Sequence, residues 1–395
     1  MKRSLQCHRF KSIHPYLVIT GFTEADPTRF KVILNHTMAA PLQYEQLVGK
    51  YNGDSSTKVL DVGEKKPIQV RLLDVMIDDK YKPQLLRENG RLKVVVETDA
   101  NGIDIDHPFP NPEVVLLGAA QTTQRDTTVE ATAFIPQGAP TSFPPSKDDS
   151  ARDGTGNKPT VIFGQDDRVV FHDTSYPWRI CGKIQTAVMS GSGCMIGPRH
   201  VLTASHCVNW AGDGSAGWIN FTPAYYDGSG PWGTFAVTTV YAYVKNVGEL
   251  SDEQTAFDYA VLVLDRRIGD TIGWAGGRVF DKSWVNTVQW SFIGYPFDLT
   301  KASRPAFQGK VVVTSKQDFR NGSVFGHFSD YTACMDGGPL WGTWAGDKGP
   351  SVVGVASARE GPPIAVPNGS TNEDNEFGGG EALVKLITEA KTGAP

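Results

Sequence analysis

Cysteine is scarce in this chain. Cys7, Cys181, Cys194, Cys207 and Cys334 are the five cysteines among 395 residues, too few for a fold held by disulfides, and an odd number leaves at least one thiol unpaired. No apolar run is long enough to cross a bilayer. Charge of one sign is also lacking: the formal net charge of −5 gives no reason to expect nucleic acid or an anionic membrane as partner. No cysteine or histidine cluster has metal-ligand spacing, and no glycine-rich loop has a phosphate-binding pattern, so no cofactor is expected. The first residues, MKRSLQCHRFKSIHPYLVITGF, are basic enough for the head of a signal peptide. Their apolar piece, Tyr16–Phe22, is short and interrupted by Thr20 and Gly21, so export is not written plainly.

Glycine and proline, at 42 and 25, point to a turn-rich β protein. The chain is expected to divide in three. Residues 1–120 carry strand-like pieces ("RFKVILNH", "PIQVRLLDVMI", "RLKVVVETD") and form a region of no recognisable type, suited to a pro-region. Residues 121–160 shift to Thr, Pro, Ser, Asp and Gly and read as a flexible linker. Residues 161–395 bring short apolar strands separated by turns, the pattern of an all-β sandwich or barrel pair. One helix is expected near the end, where Leu383, Leu386, Ile387 and Ala390 share a face. Sequons at Asn35, Asn220, Asn321 and Asn368 weakly favour secretion.

Three stations carry chemistry. In "GPRHVLTASHCV" an apolar strand runs into His206, placing an imidazole just past a strand end, where a general base is useful. His200, without that context, reads as a surface histidine. In "AFDYAVLVLD", Asp258 stands before a buried-looking strand, where a carboxylate can fix a histidine tautomer. Downstream comes "TACMDGGPLW", with the Gly-Gly-Pro of a nucleophile loop and no serine between Thr332 and Trp341.

Together these motifs resemble the trypsin/chymotrypsin-like serine proteases, whose chain order is also His, Asp, nucleophile. "VIFGQDDRVVFHDTSYPWRICGKI", "SGSGCMIG", "SFIGYP" and "SVVGVASA" are similar to the V8-like, glutamyl-endopeptidase-like branch, and the resemblance runs from about Val161 to Lys391. It implies a double six-stranded β-barrel with a C-terminal helix, and a peptide or protein substrate cut outside the cell by a monomer. It also implies a substrate-binding strand at Val355, Ala356 and Ser357. The histidine that accompanies glutamate preference in that strand is missing, so that preference is not carried over. Cys194 and Cys207 flank the histidine hairpin and are the expected bridge, although the family's usual partner for Cys207 falls at Gly191.

The family loop reads G-x-S-G-G-P, with its serine as nucleophile and backbone N–H groups of the first Gly and the Ser as oxyanion hole. Aligned without a gap, Asp336 takes the serine position, Cys334 the first glycine and Gly337 the glycine after the serine. Aligned with a gap, the oxyanion glycine and the serine are both deleted, as a misplaced splice junction would also leave them. Both alignments lose the hydroxyl. The expected function is that of a serine-endopeptidase-family protein strongly impaired in hydrolysis. The alternative is a pseudoprotease that binds peptide or protein without turnover.

Overall fold

A computed structural model describes residues 38–51, 84–88, 91–95, 109–118, 131–148, 162, 166–248, 250–359 and 374–395. The pieces "RFKVILNH" and "PIQVRLLDVMI", the N-terminal signal-like segment, and Asn35 and Asn368 lie outside the described residues. Of the early region, Gln84–Glu88 and Arg91–Val95 form an antiparallel hairpin.

Six strands close the first barrel: β1 Cys181–Thr186, β2 Ser190–Met195, β3 His200–Thr203, β4 Ile219–Pro223, β5 Phe235–Ala242 and β6 Ala260–Leu264. Their order is β6-β3-β2-β1-β4-β5, and pairing of β6 with β5 shuts the ring. Ile184, Val201, Phe221, Val237, Val240 and Leu262 fill its interior. Closure around so small a core needs close backbone approach, which Gly182 provides: a Cβ there would come within 2.5 Å of the Phe221 ring.

The second barrel uses β7 Trp290–Gly294, β8 Ala306–Val311, β9 Gly322–His327, β10 Pro339–Gly342, β11 Ser351–Arg359 and β12 Asn375–Gly379. The order β9-β12-β11-β10-β7-β8 is closed by a bridge from Val313, just past β8, to His327 of β9. Its core is aromatic, with Trp290, Phe292, Phe325 and Phe377 fully buried. The helix Glu381–Gly393 follows, with Leu383, Leu386, Ile387 and Ala390 buried as the periodicity predicts. It packs on strands of both barrels.

Residues 131–148 do not behave as the expected flexible linker. Ala131 and Phe134 bridge to Gly277 and Trp274, Thr141 to Tyr176, and Lys147 to Phe171. Phe143 is 3% exposed, its ring 5.7 Å from Trp178 and 5.1 Å from Tyr44 of the helix Tyr44–Tyr51. The two phenylalanines supply apolar area that the polar composition around them hides. Farther upstream, Glu113–Leu116 adds to β5 as a parallel strand. Pieces of the expected pro-region and linker thus clothe the barrels.

Candidate active site

His206 is presented by a single 3-10 turn, Ser205–Cys207, that follows β3. The turn is tied down by Ser205 Oγ, which donates to Val244 O at 2.6 Å, and by Trp210 Nε1, which donates to Ser205 O at 2.9 Å. Asp258 precedes β6 and is fully buried. Four donors converge on its two oxygens. His206 Nδ1 lies 2.6 Å from Oδ2 and Ser357 Oγ donates to the same oxygen at 2.6 Å. The backbone N–H of His206 (2.9 Å) and Asn246 Nδ2 (3.0 Å) donate to Oδ1. Burial alone would raise this carboxyl's pKa; the histidine's charge and these hydrogen bonds outweigh it and hold the pKa below the ordinary aspartate value.

The loop Thr332–Gly338 is gripped from two sides. From the first barrel, Ser192 N donates to Asp336 O at 2.7 Å and Ser192 Oγ to Cys334 O at 2.8 Å. From the second, Gly337 N donates to Ala356 O (2.8 Å) and Ala356 N to Gly338 O (2.9 Å). Gly337 has φ +83, and a Cβ on it would run into Thr203 Oγ1 and Ser192 O, so only glycine fits there. Below the loop, the buried Arg168 pairs with Asp166 and Asp298 at 2.7 and 2.6 Å and donates to Thr332 Oγ1 at 3.0 Å. This fastens the "DDR" segment to the loop.

Asp336 lies beside the histidine, with Oδ1 3.3 Å from His206 Nε2. Tyr331 OH donates to the same oxygen at 2.6 Å, and Cys334 N donates to Oδ2 at 3.0 Å. The histidine therefore stands between two carboxylates. Burial of the ring opposes its protonation. Cys207 would favour protonation only as a thiolate, and burial pushes that thiol's own pKa up. Asp258 and Asp336 decide the balance, and the histidine pKa rises far above its usual range.

The expected Cys194–Cys207 bridge is not formed; none of Cys181, Cys194, Cys207 and Cys334 is joined in a disulfide. Cys194 faces Cys181 across the β1–β2 hairpin. Alternation along β2 leaves Gly191 opposite Cys207, where an added Cβ would lie 2.8 Å from Cys207 Sγ. His200 is likewise not a surface residue: it is 1% exposed, under the end of the C-terminal helix. Within β11, Val355 and Ala356 are core residues, and the Ser357 hydroxyl is spent on Asp258. Asn220, buried in β4 at 7% exposure, is not an accessible glycosylation acceptor, whereas Asn321 lies on a turn. Sequence reasoning missed Asn246 and Tyr331, which lie in otherwise unremarkable stretches, and it missed the role of Ser192, although the SGSGCMIG strand that carries it was singled out.

No protein-family profile matches the chain. It is 33% identical over 155 residues to a glutamyl endopeptidase of Bacillus licheniformis, covering 39% of this chain and 48% of that protein. It is 26% identical over 205 residues to an extracellular metalloprotease of Bacillus subtilis, covering 50% and 62%. The chain thus spans about half to three-fifths of the curated relatives it matches. Among solved structures, a Glu endopeptidase in complex with MPD superposes with a TM-score of 0.47 at 21% identity, covering 58% of this chain and 99% of that one. Protease Anisep from Arthrobacter nicotinovorans gives 0.38 at 17%, covering 55% and 96%. Two barrels bring His206, Asp258 and the Gly-Gly-Pro loop together, and over 155 residues the chain is similar to a glutamyl endopeptidase, in keeping with its sequence resemblance to the V8-like branch of the trypsin/chymotrypsin-like serine proteases.

Proposed function

We propose that this chain is a peptide-binding member of the serine endopeptidase lineage, acting outside the cell, in which Asp336 suppresses hydrolysis. The observation that carries the reading is the double engagement of the Asp336 carboxylate. One oxygen lies 3.3 Å from His206 Nε2 and the other accepts the Cys334 N–H. Hydrolysis needs a neutral imidazole to take a proton from the nucleophile, and free N–H donors for the charge that develops on the carbonyl oxygen. The carboxylate keeps the imidazole protonated and occupies one donor at the oxyanion position. As a nucleophile it would have to form an anhydride, with its negative charge beside a forming oxyanion. Loss of a serine nucleophile costs roughly 10⁶-fold in turnover, and binding with the remaining donors retains about 10³–10⁴-fold over water.

The test uses the full chain with fluorescein-labelled casein and a fluorophosphonate probe. The native chain gives neither hydrolysis nor labelling, and the double variant Cys334→Gly with Asp336→Ser gains both. Native-chain hydrolysis that disappears in His206→Ala overturns the proposal. So does a double variant that folds and stays inert, since Asp336 would then not be what suppresses turnover. The relatives' names, a glutamyl endopeptidase and an extracellular protease, support the peptide ligand and the location. Among the described residues, no helix is long and apolar enough to cross a membrane.

A further inference from the structure

Lys183 lies on β1 directly across from Ser192 of β2, and side chains of cross-strand partners share a face. That face is turned to the nucleophile loop, because Ser192 Oγ donates to Cys334 O and accepts from Tyr295 N at 2.9 Å. Lys183 is 7% exposed. Its ammonium lies 4.6 Å from the centre of the Tyr225 ring, which packs edge-on against Tyr295 at 6.1 Å. Among the described residues, no acceptor hydrogen-bonds this ammonium and no carboxylate pairs with it. Burial lowers its pKa, and the one titratable group that opposes the shift is Cys334. Other cations nearby are committed: Arg168 to Asp166 and Asp298, and Arg304 to Asp227 and Asp148.

An ammonium at the end of a nearly covered side chain, with no anion paired to it, attracts a carboxylate more strongly than one in open solvent does. We propose that Lys183, Tyr225 and the Cys334 flank of the loop form an anion subsite for a carboxylate of the bound peptide, so that the ligand is an acidic peptide. The inference rests on the peptide-binding reading and adds the ligand's chemistry. Strand β11 holds the opposite flank of the loop through Ala356. Lys301 adds a second positive charge on this side: its ammonium lies 4.7 Å over the ring of Phe297, whose N–H donates to Ala333 O at 2.9 Å.

The test is lysine Nζ NMR on the 15N-lysine-labelled full chain, with the Lys183 signal identified by its loss in Lys183→Met. N-acetyl-aspartate amide shifts that signal saturably and N-acetyl-asparagine amide does not. No saturable shift, or the same shift with both, overturns the subsite. This readout does not depend on hydrolysis, so it can fail while the suppressed-protease reading stands, and the reverse. In fluorescence anisotropy, an Asp-containing hexapeptide binds Lys183→Met about tenfold more weakly than the native chain, while Lys183→Arg keeps the preference for Asp over Asn. An unchanged Asp preference in a folded Lys183→Met also overturns it.

Discussion

At the scale of single residues, the site turns on one carboxylate that faces an imidazole already held by another. Asp258 lies 2.6 Å from His206 Nδ1 and Asp336 3.3 Å from Nε2, and both carboxylates favour the protonated ring. Asp336→Asn removes that second charge while keeping the shape. His206 should then titrate at lower pH than in the native chain, read from its imidazole 15N shifts. An unchanged titration would mean that Asp258 alone sets the histidine's charge. The sequence singled out both aspartates and the histidine, because each sits in a local string with its own chemistry. The converging distances were not. Neither was Tyr331, whose hydroxyl reaches Asp336 from five residues upstream inside a tight loop. Local spacing does not tell that a loop folds back on itself.

At the scale of elements, strand alternation decides which cysteines meet. The step from Cys194 to Gly191 moves the side chain to the opposite face of β2, and Cys207 waits on that face. The Cβ-to-Sγ distance of 2.8 Å suits a disulfide from a cysteine at position 191. Gly191→Cys should therefore form a bridge to Cys207 under oxidising conditions and stabilise the chain by about 3 kcal/mol, typical for a loop of this length. Non-reducing mass spectrometry and denaturant unfolding with and without reductant check it; equal stability in both states counts against the geometry. The strands read in advance were the apolar ones, such as Ala260–Leu264 and Ser351–Arg359. Gly322–His327 and Asn375–Gly379 were not, because close contacts demand glycine there. A Cβ on Gly378 would meet Thr255 O, and one on Gly322 would meet Ala256 O and the Phe257 ring.

At the scale of the whole molecule, two buried histidines tie stability to pH. His200 lies beneath the end of the C-terminal helix. Burial pushes its pKa down to about 4, with the carbonyls of Ala394 and Ala390 opposing and Lys391 and Arg199 reinforcing. Burial alone pushes His327 down to about 3. Both are near 6.5 in an unfolded chain, so below that pH the unfolded state binds more protons than the folded one. Stability present above pH 6.5 is lost as pH falls towards 4 for His200 and towards 3 for His327. His200→Leu should flatten the loss between pH 6.5 and 4, measured as urea midpoints across that range. A variant as pH-sensitive as the native chain removes His200 from the account.

The sequence by itself determined the family resemblance, the expectation of two barrels and a C-terminal helix, and the order of His206, Asp258 and the Gly-Gly-Pro loop, because each depends on periodicity or on a short local string. Tertiary structure brought Asp336 to within 3.3 Å of His206. It also separated Cys194 from Cys207, drew residues 131–148 onto the barrels and, among the described residues, left Lys183 with no carboxylate paired to it. All of these rest on contacts between segments far apart in the chain, and their energies come from burial, which no local pattern records.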